Sequence, residues 1–252
     1  MQVFGIDLWR IILCAVLIFL VVKRANLVAA YGKRYIAKGD TEKAVKIFGI
    51  ASKVGNLNIP NRITYAYLLL RSGQVDKALF ELRTALPMTQ RESADRYRIK
   101  NFIAIAYWKQ GDLDLAIEEL EEVTNTGFKN TNIYQNLGIL YNLSDNTERA
   151  KKFAQEAYEY NSDDNIITDN YADALFRCGE FEKSAEIYEE LVSREPRFPE
   201  AYYGYGRVLN ELGNKEKAIE MIEESLTKPF SFLSIKTKEE IEEMLESIKK
   251  DA

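Results

Sequence analysis

Residues 110–123, QGDLDLAIEELEEV, read as a turn around Gly111 followed by an amphipathic helix, with Ala116, Leu120 and Val123 at helical spacing. The chain repeats nearly the same phrase as KGDTEKAVKIFGIA at 38–51, SGQVDKALFELRTA at 72–85, CGEFEKSAEIYEEL at 178–191 and LGNKEKAIEMIEES at 212–225. Gly39, Gly73, Gly111, Asp145, Gly179 and Gly213 hold one place in it, at separations of 34, 38, 34, 34 and 34 residues. A period of this size predicts helix pairs stacked into a solenoid, because one pair alone cannot bury its apolar stripe. The glycine at each turn supplies a backbone with φ > 0 at little cost. Asp145 is expected to keep the turn by tolerating the same left-handed conformation. Four additional residues between the second and third copies, within PMTQRESADR at 87–96, predict a longer loop or a longer following helix.

The residues around the turns keep one register. The fourth copy has Tyr134, Leu137, Gly138, Tyr141, Ala150, Ala154 and Ala157; the first has Tyr31, Gly32, Tyr35, Ala44, Phe48 and Ala51. Small residues let helix backbones approach, and large ones fill the gaps beyond. This pattern resembles the tetratricopeptide repeat family, whose repeat combines a large residue, L-G-x-x-Y and A-x-x-x-F with a later small residue. The resemblance implies an all-α, right-handed superhelical solenoid of six repeats over residues 25–230, at about 25–58, 59–96, 97–130, 131–164, 165–198 and 199–230. After them, TKEEIEEMLESIKKDA at 237–252 begins with a capping Thr237 and places Ile241, Met244, Leu245 and Ile248 on one side, as a C-terminal capping helix over 237–250 would. Its Lys249 and Lys250 read as the cations a helix C-terminus attracts.

Composition removes several classes of function. The 252 residues include no histidine, which excludes Ser-His-Asp and Cys-His catalysis and imidazole zinc sites. The two cysteines, Cys14 and Cys178, form no CxxC pair, so neither a disulfide framework nor a thiolate metal site is expected. The net charge of −5 divides into +5 for residues 1–38 and −10 for the remainder. An acidic body argues against nucleic-acid binding, which wants a basic face. A basic neck beside an apolar segment points to a membrane.

That segment is MQVFGIDLWRIILCAVLIFLVVKR at 1–24. Its unbroken apolar core, residues 11–22, is too short for a hydrocarbon layer of about 30 Å, so the expected span extends back over 3–22 and takes in Asp7 and Arg10. About ten apolar side chains favour insertion by roughly 3–6 kcal/mol, while Asp and Arg would oppose it by about 5–7 kcal/mol at mid-bilayer. Near one end, spaced i,i+3 and beside Trp9, those two can pair and snorkel, and insertion should win. A cleaved signal peptide fits less well: no basic region precedes the run, and cutting near Ala29 or Ala30 would remove half of a repeat helix. A buried soluble helix is the other reading, against which the segment has no polar face. Lys23, Arg24, Lys33, Arg34 and Lys38 all follow the run, which predicts a single-pass protein, in a bacterial inner membrane, with the repeats on the cytoplasmic side.

In the family the first helix of each repeat lines the concave face. Carrying that register over predicts a partner groove of Lys33, Tyr67 and Arg71, then Asn101, Phe102, Ile105, Trp108 and Lys109, then Gln135, Asn136 and Ile139, then Asn170, Asp173 and Phe176, then Tyr203 and Arg207. Ile63, Leu70, Asn142, Asp169 and Arg177 fall in the same register. The aromatic and aliphatic members make an apolar track, and the central amides are expected to pair with a peptide backbone. The alternative for each aromatic is packing against a neighbouring helix. Repeat proteins that clamp acidic chaperone tails use lysines and asparagines across three units; the comparable Ala29, Lys33, Thr64, Arg98 and Phe102 carry only part of that charge. The layout also resembles lipopolysaccharide assembly proteins that hang such repeats from a membrane helix, without their cysteine knuckle. The expectation is therefore a membrane-anchored adaptor that binds a protein or peptide, with a structural subunit contacting through its outer face or membrane helix as the alternative. Neither cofactor nor metal is expected. The glutamates at 118, 119, 121 and 122 read as a solvated face, and with no paired base, nucleophile or phosphate loop the chain reads as a non-enzyme.

Overall fold

The computed structural model describes residues 2–3 and 6–250. Among them are thirteen α-helices, preceded by a two-residue antiparallel bridge of Gln2–Val3 with Ile6–Asp7. The chain forms two compact units, Met1–Ile99 and Lys100–Ala252.

In the first unit, α1 (Leu8–Ala37) is a single 30-residue helix with two characters. Trp9, Ile12, Leu13 and every residue from 16 to 22 are exposed, although all are apolar. From Ala25 onward the helix acquires a buried side: Ala25 and Ala29 are fully buried, and Gly32 leaves room for the Phe48 ring. This second half is the first member of a helix pair whose other member, α2 (Thr41–Val54), buries Ala44, Phe48 and Ala51. Asn26 then accepts hydrogen bonds from the Asn58 N–H at 3.0 Å and from Asn61 Nδ2 at 2.9 Å, fastening α1 to the start of α3 (Ile59–Arg71). The apolar run and the first repeat helix are thus continuous, with no linker between them. The expected Asp7–Arg10 pairing falls on a side chain outside the described residues. A second pair joins α3 to α4 (Val75–Ala85), held across its interior by the ion pair of Arg62 with Glu81.

The extra residues between the second and third copies form a 3₁₀ turn, Leu86–Met88, and lengthen the next helix. That helix, α5 (Ala94–Gln110), has 17 residues, against 13 in each of the other first helices α3, α7 (Thr131–Leu143), α9 (Asn165–Arg177) and α11 (Pro199–Glu211). In the second unit each first helix is followed by a partner that occupies the place of the repeated phrase. These are α6 (Leu113–Thr124), α8 (Thr147–Tyr160), α10 (Phe181–Ser193) and α12 (Lys215–Leu226).

The turn geometry explains the phrase. At Gly111, φ is +94°, its N–H donates to Trp108 O at 3.0 Å, and the Asp112 N–H donates to Tyr107 O at 3.0 Å, so the last carbonyls of α5 are satisfied as the chain reverses. Asp145 does not take the left-handed conformation its position suggests: Glu195 is the one described non-glycine residue with positive φ. Instead α7 ends at an extended Ser144, and Asn146 caps the following helix through the Arg149 N–H at 3.0 Å. The extended Ser144 carries the reversal, which spares an L-residue at 145 the αL cost, while the cap is shared with Asp40 and Asn214 beside Gly39 and Gly213.

The acidic run of α6 is also not simply a solvated face. Glu119 and Glu122 receive Lys100 Nζ at 3.0 and 2.6 Å, and Glu121 accepts the Tyr141 hydroxyl at 2.8 Å and Arg149 Nη2 at 2.5 Å. These bonds brace α6 against its neighbours. At the end of the unit, Thr237 and Glu240 exchange side-chain bonds to each other's N–H at 3.2 and 2.8 Å, a capping box that starts α13 (Lys238–Lys250). Ile241, Leu245 and Ile248 of this helix are buried together with Ile222 of α12, and Met244 packs beside them.

Candidate partner-binding face

The predicted groove residues divide between the two units. In the first, Lys33 and Arg71 are exposed, and Tyr67 is 38% exposed with the Arg71 guanidinium 5.9 Å from its ring. Ile63 and Leu70, which share the register, are buried in the core at 2% and 0% and offer a partner nothing. The helix period places i and i+3 or i+4 on one side, and this stripe is the one turned inward.

The second unit gathers the remaining thirteen onto α5, α7, α9 and α11. Phe102, Trp108, Lys109, Gln135, Asn136, Ile139, Asp173, Phe176, Tyr203 and Arg207 are half-buried; Asn101, Ile105 and Asn170 are buried. The central amides do not wait for a peptide backbone. Asn136 Nδ2 donates to Asn101 Oδ1 at 2.9 Å, Asn170 Nδ2 to the Gln135 carbonyl at 2.8 Å, and Gln135 Nε2 to both Asp164 oxygens at 2.9 and 2.8 Å. They stitch successive first helices together, because an amide sunk between helices must be satisfied there. The cations and acids are likewise engaged: Arg207 Nη1 donates to Asp173 Oδ1 at 3.0 Å while its guanidinium lies 4.2 Å from the Phe176 ring.

Two cavities open on this face. One, of about 260 Å³, is walled by Ile105, Trp108, Asn136 and Ile139 together with residues of the 229–236 segment. The other, of about 340 Å³, is bounded by Asn142, Asp169, Asp173, Tyr188, Glu200 and Arg207, among others. Asn142 Oδ1, Asp169 Oδ1 and Arg177 Nε border this second cavity, are buried, and make no hydrogen bond within the chain. The sequence register finds Asn142, Asp169 and Arg177, but not Glu200, Tyr188 or the 229–236 segment. The only sequence signal for that segment is a proline-led apolar stretch, PFSFLSIK, between two strongly polar helices.

Electrostatics on the face follow from burial. Burial, reinforced by Asp173 and Glu200, pushes the Asp169 carboxyl well above its ordinary 3.8, against the pull of Arg207. Burial raises Glu200 too, against the Ile235 N–H that it accepts. It lowers Lys109 to about 8, with Glu200 opposing. Because Asp169 holds its proton more tightly folded than unfolded, its stabilising contribution is complete below pH 3.8 and is lost as pH rises through the folded value. Asp169→Asn should therefore raise the Tm at pH 7, and the difference from the wild-type chain should shrink as the pH falls toward 4, in thermal melts followed by circular dichroism. Equal melting at pH 7 would mean that the carboxylate is fully compensated.

Among the described residues no group of three or more acidic or cysteine side chains is placed to hold a metal ion. Comparison with known proteins agrees with the helix pairs. Family models described as Tetratricopeptide repeat match residues 63–127 and 170–229, and a further one matches 131–164. The chain is similar to the Vi polysaccharide export protein VexE of Salmonella typhi, 31% identical over 107 residues, a stretch that takes in 41% of this chain and 16% of that protein. A tetratricopeptide repeat protein from Parabacteroides merdae superimposes with a TM-score of 0.72 at 17% identity, over 90% of this chain and 85% of that one. YrrB, described as a TPR protein with an unusual peptide-binding site, superimposes with a TM-score of 0.50 at 20% identity, over 76% of this chain and 91% of its own. With these models matched over most of residues 63–229, across five of the six helix pairs, the chain belongs to the tetratricopeptide repeat family.

Proposed function

We propose that this protein is a membrane-anchored adaptor: the first half of α1 spans the membrane, the repeats stand on the cytoplasmic side, and a protein or peptide partner binds the face built by α5, α7, α9 and α11. Membership of a family that mediates protein–protein interaction supports the general role. The anchor is supported by the exposed apolar run, since a row from Val16 to Val22 left in water would be an unusually large apolar patch. The observation that carries the binding face is its pair of cavities, whose walls combine Ile105, Trp108 and Ile139 with buried polar atoms that have no partner in the chain. Anchoring raises the effective concentration of a partner at the same membrane, so a modest affinity would suffice.

A structural subunit that makes its contact elsewhere is the second reading, favoured by Ile50 and Phe80. These lie on the second helices of the first unit and are 53% and 68% exposed. One experiment separates the two. Tagged full-length chain is cross-linked in its own host and recovered from carbonate-washed membranes, beside a Trp108→Ala/Phe176→Ala version of unchanged helicity. A protein cross-linked to the first and depleted at least tenfold from the second supports the adaptor. Equal capture moves the contact off this face, and absence of the chain from washed membranes removes the anchor.

A further inference from the structure

The segment between α12 and α13 does not simply connect them. Residues 229–236, PFSFLSIK, lie along the face just described, over 100 residues away in sequence from the α5 side chains they meet. Lys109 Nζ donates to the Ser234 carbonyl at 3.0 Å and stands 5.5 Å from the Phe232 ring. The Ile235 N–H donates to Glu200 Oε1 at 2.9 Å. Leu233 and Ile235 share the 260 Å³ cavity with Ile105, Trp108 and Ile139. The segment has little structure of its own: Ser231 and Ser234 close a small turn on themselves, and no helix or strand forms until α13 begins at Lys238. It is held by one main-chain acceptor, one main-chain donor and apolar side chains, which is how an extended peptide is recognised.

We propose that residues 229–236 are an internal occupant of the binding face, and that the partner is an extended protein segment of the same build. Such a segment presents a main-chain carbonyl to Lys109, a main-chain N–H to Glu200 two or fewer residues away, and aliphatic side chains to the cavity of Ile105 and Trp108. This rests on the adaptor reading only in taking the face to be the contact surface. The partner enters by displacing the strap. It gains over the strap at the 340 Å³ cavity, where Asn142 Oδ1, Asp169 Oδ1 and Arg177 Nε are left without hydrogen bonds beside Ile235 and Lys236. A polar side chain reaching that cavity finds acceptors and a donor that the strap does not use. The strap therefore sets a threshold: a tether of this length presents its own segment at about millimolar effective concentration, so weak segments are excluded.

The test uses the full chain in detergent micelles and a fluorescein-labelled peptide KPFSFLSIKT, the chain's own residues 228–237, read by fluorescence anisotropy. In an opened chain, Phe232→Ser/Leu233→Ser/Ile235→Ser, the peptide should bind at least tenfold more tightly than to the wild-type chain. A second opened chain, with 229–236 replaced by a glycine-serine linker of equal length, guards against a folding defect in the first. Adding Lys109→Met should weaken peptide binding severalfold, and a peptide with aspartate at the position of Leu233 should not bind. No tighter binding by either opened chain, with helicity intact, overturns the proposal. A wild-type dimer that dissociates in the opened chains also overturns it, by assigning the face to the strap of a second copy. The adaptor reading fails separately: peptide binding to the opened chain, together with partner capture that survives Trp108→Ala/Phe176→Ala, would keep the strap and discard the adaptor. Capture that needs the face while the peptide fails to bind would do the reverse.

Discussion

Replacing Glu81 with alanine should destabilise the first unit by about 3–5 kcal/mol, because it strands a buried guanidinium. The Arg62 and Glu81 side chains are 9% and 5% exposed, and Arg62 Nη1 donates to Glu81 Oε2. Glu81 Oε1 accepts the Ser52 hydroxyl at 2.6 Å, so one carboxylate joins α2, α3 and α4. Arg62 Nε already lacks a hydrogen-bond partner in the chain, and removal of the carboxylate leaves the cation with no compensating charge. The pair itself is not expected to contribute much, since taking two ions out of water offsets most of their attraction. Arg62→Met/Glu81→Leu should accordingly return to within about 1–2 kcal/mol of the wild-type chain. Native-state hydrogen exchange in α3 and α4 reads the local opening free energy directly. A Glu81→Ala chain within about 1 kcal/mol of wild type would mean that Arg62 finds water or another acceptor; failure of the double substitution to recover would mean that the pair shapes the packing.

How much of this was legible in the sequence depends on whether the information was local. The helix pairs were, because a turn glycine and a small-large alternation recur in one register and each copy reports the same backbone requirement. The two halves of α1 were legible in part: the apolar run and the first repeat are both visible, whereas their fusion into one helix depends on nothing intervening between Val22 and Ala25 to break it. The left-handed turn expected at Asp145 failed for a local reason as well, since Ser144 before it is extended with ψ of 166°, whereas Ser72, Cys178 and Leu212 before the turn glycines have ψ of 10°, 2° and 0°. The proposed binding face was legible only as a register. That register names Trp108, Ile139, Asp173, Phe176, Tyr203 and Arg207, all half-buried on the first helices of the second unit, but it cannot say which polar members are consumed by neighbours. Asn101, Asn136 and Asn170 look like peptide-reading amides until their partners, 35 residues away in sequence, are seen. The strap was not legible, because its contacts with Lys109 and Glu200 lie 125 and 35 residues from it and follow no period.

Gly204→Ala should destabilise the second unit by about 3 kcal/mol, toward the upper end of what overpacking costs. A methyl carbon built at Gly204 would press on the Tyr188 hydroxyl and lie 2.5 Å from Cζ and 2.9 Å from Cε1 of the same ring. A surface side chain would swing aside, but Tyr188 is 1% exposed, packed among Ala172, Leu191 and Tyr205. Burial and the neighbouring Asp169 and Asp173 carboxyls push the Tyr188 hydroxyl well above its ordinary 10, so retreat of the ring would disturb those carboxyls as well. The clash therefore has to be relieved by moving α11 off α10, which would widen the 340 Å³ cavity between Asp169 and Glu200. Thermal or urea unfolding of the full chain should show the loss of stability. Once Tyr188 is shortened to leucine, the alanine should cost well under 1 kcal/mol more, giving a coupling of opposite sign to that of a lost contact. The opened chain carrying Gly204→Ala should also bind the strap peptide less tightly than the opened chain alone, because Glu200 sits one helical turn before residue 204 and moves with it. An alanine that costs no more in the presence of Tyr188 than in its absence would show that the ring can yield, and that Gly204 is free of the constraint its place beside Tyr188 implies.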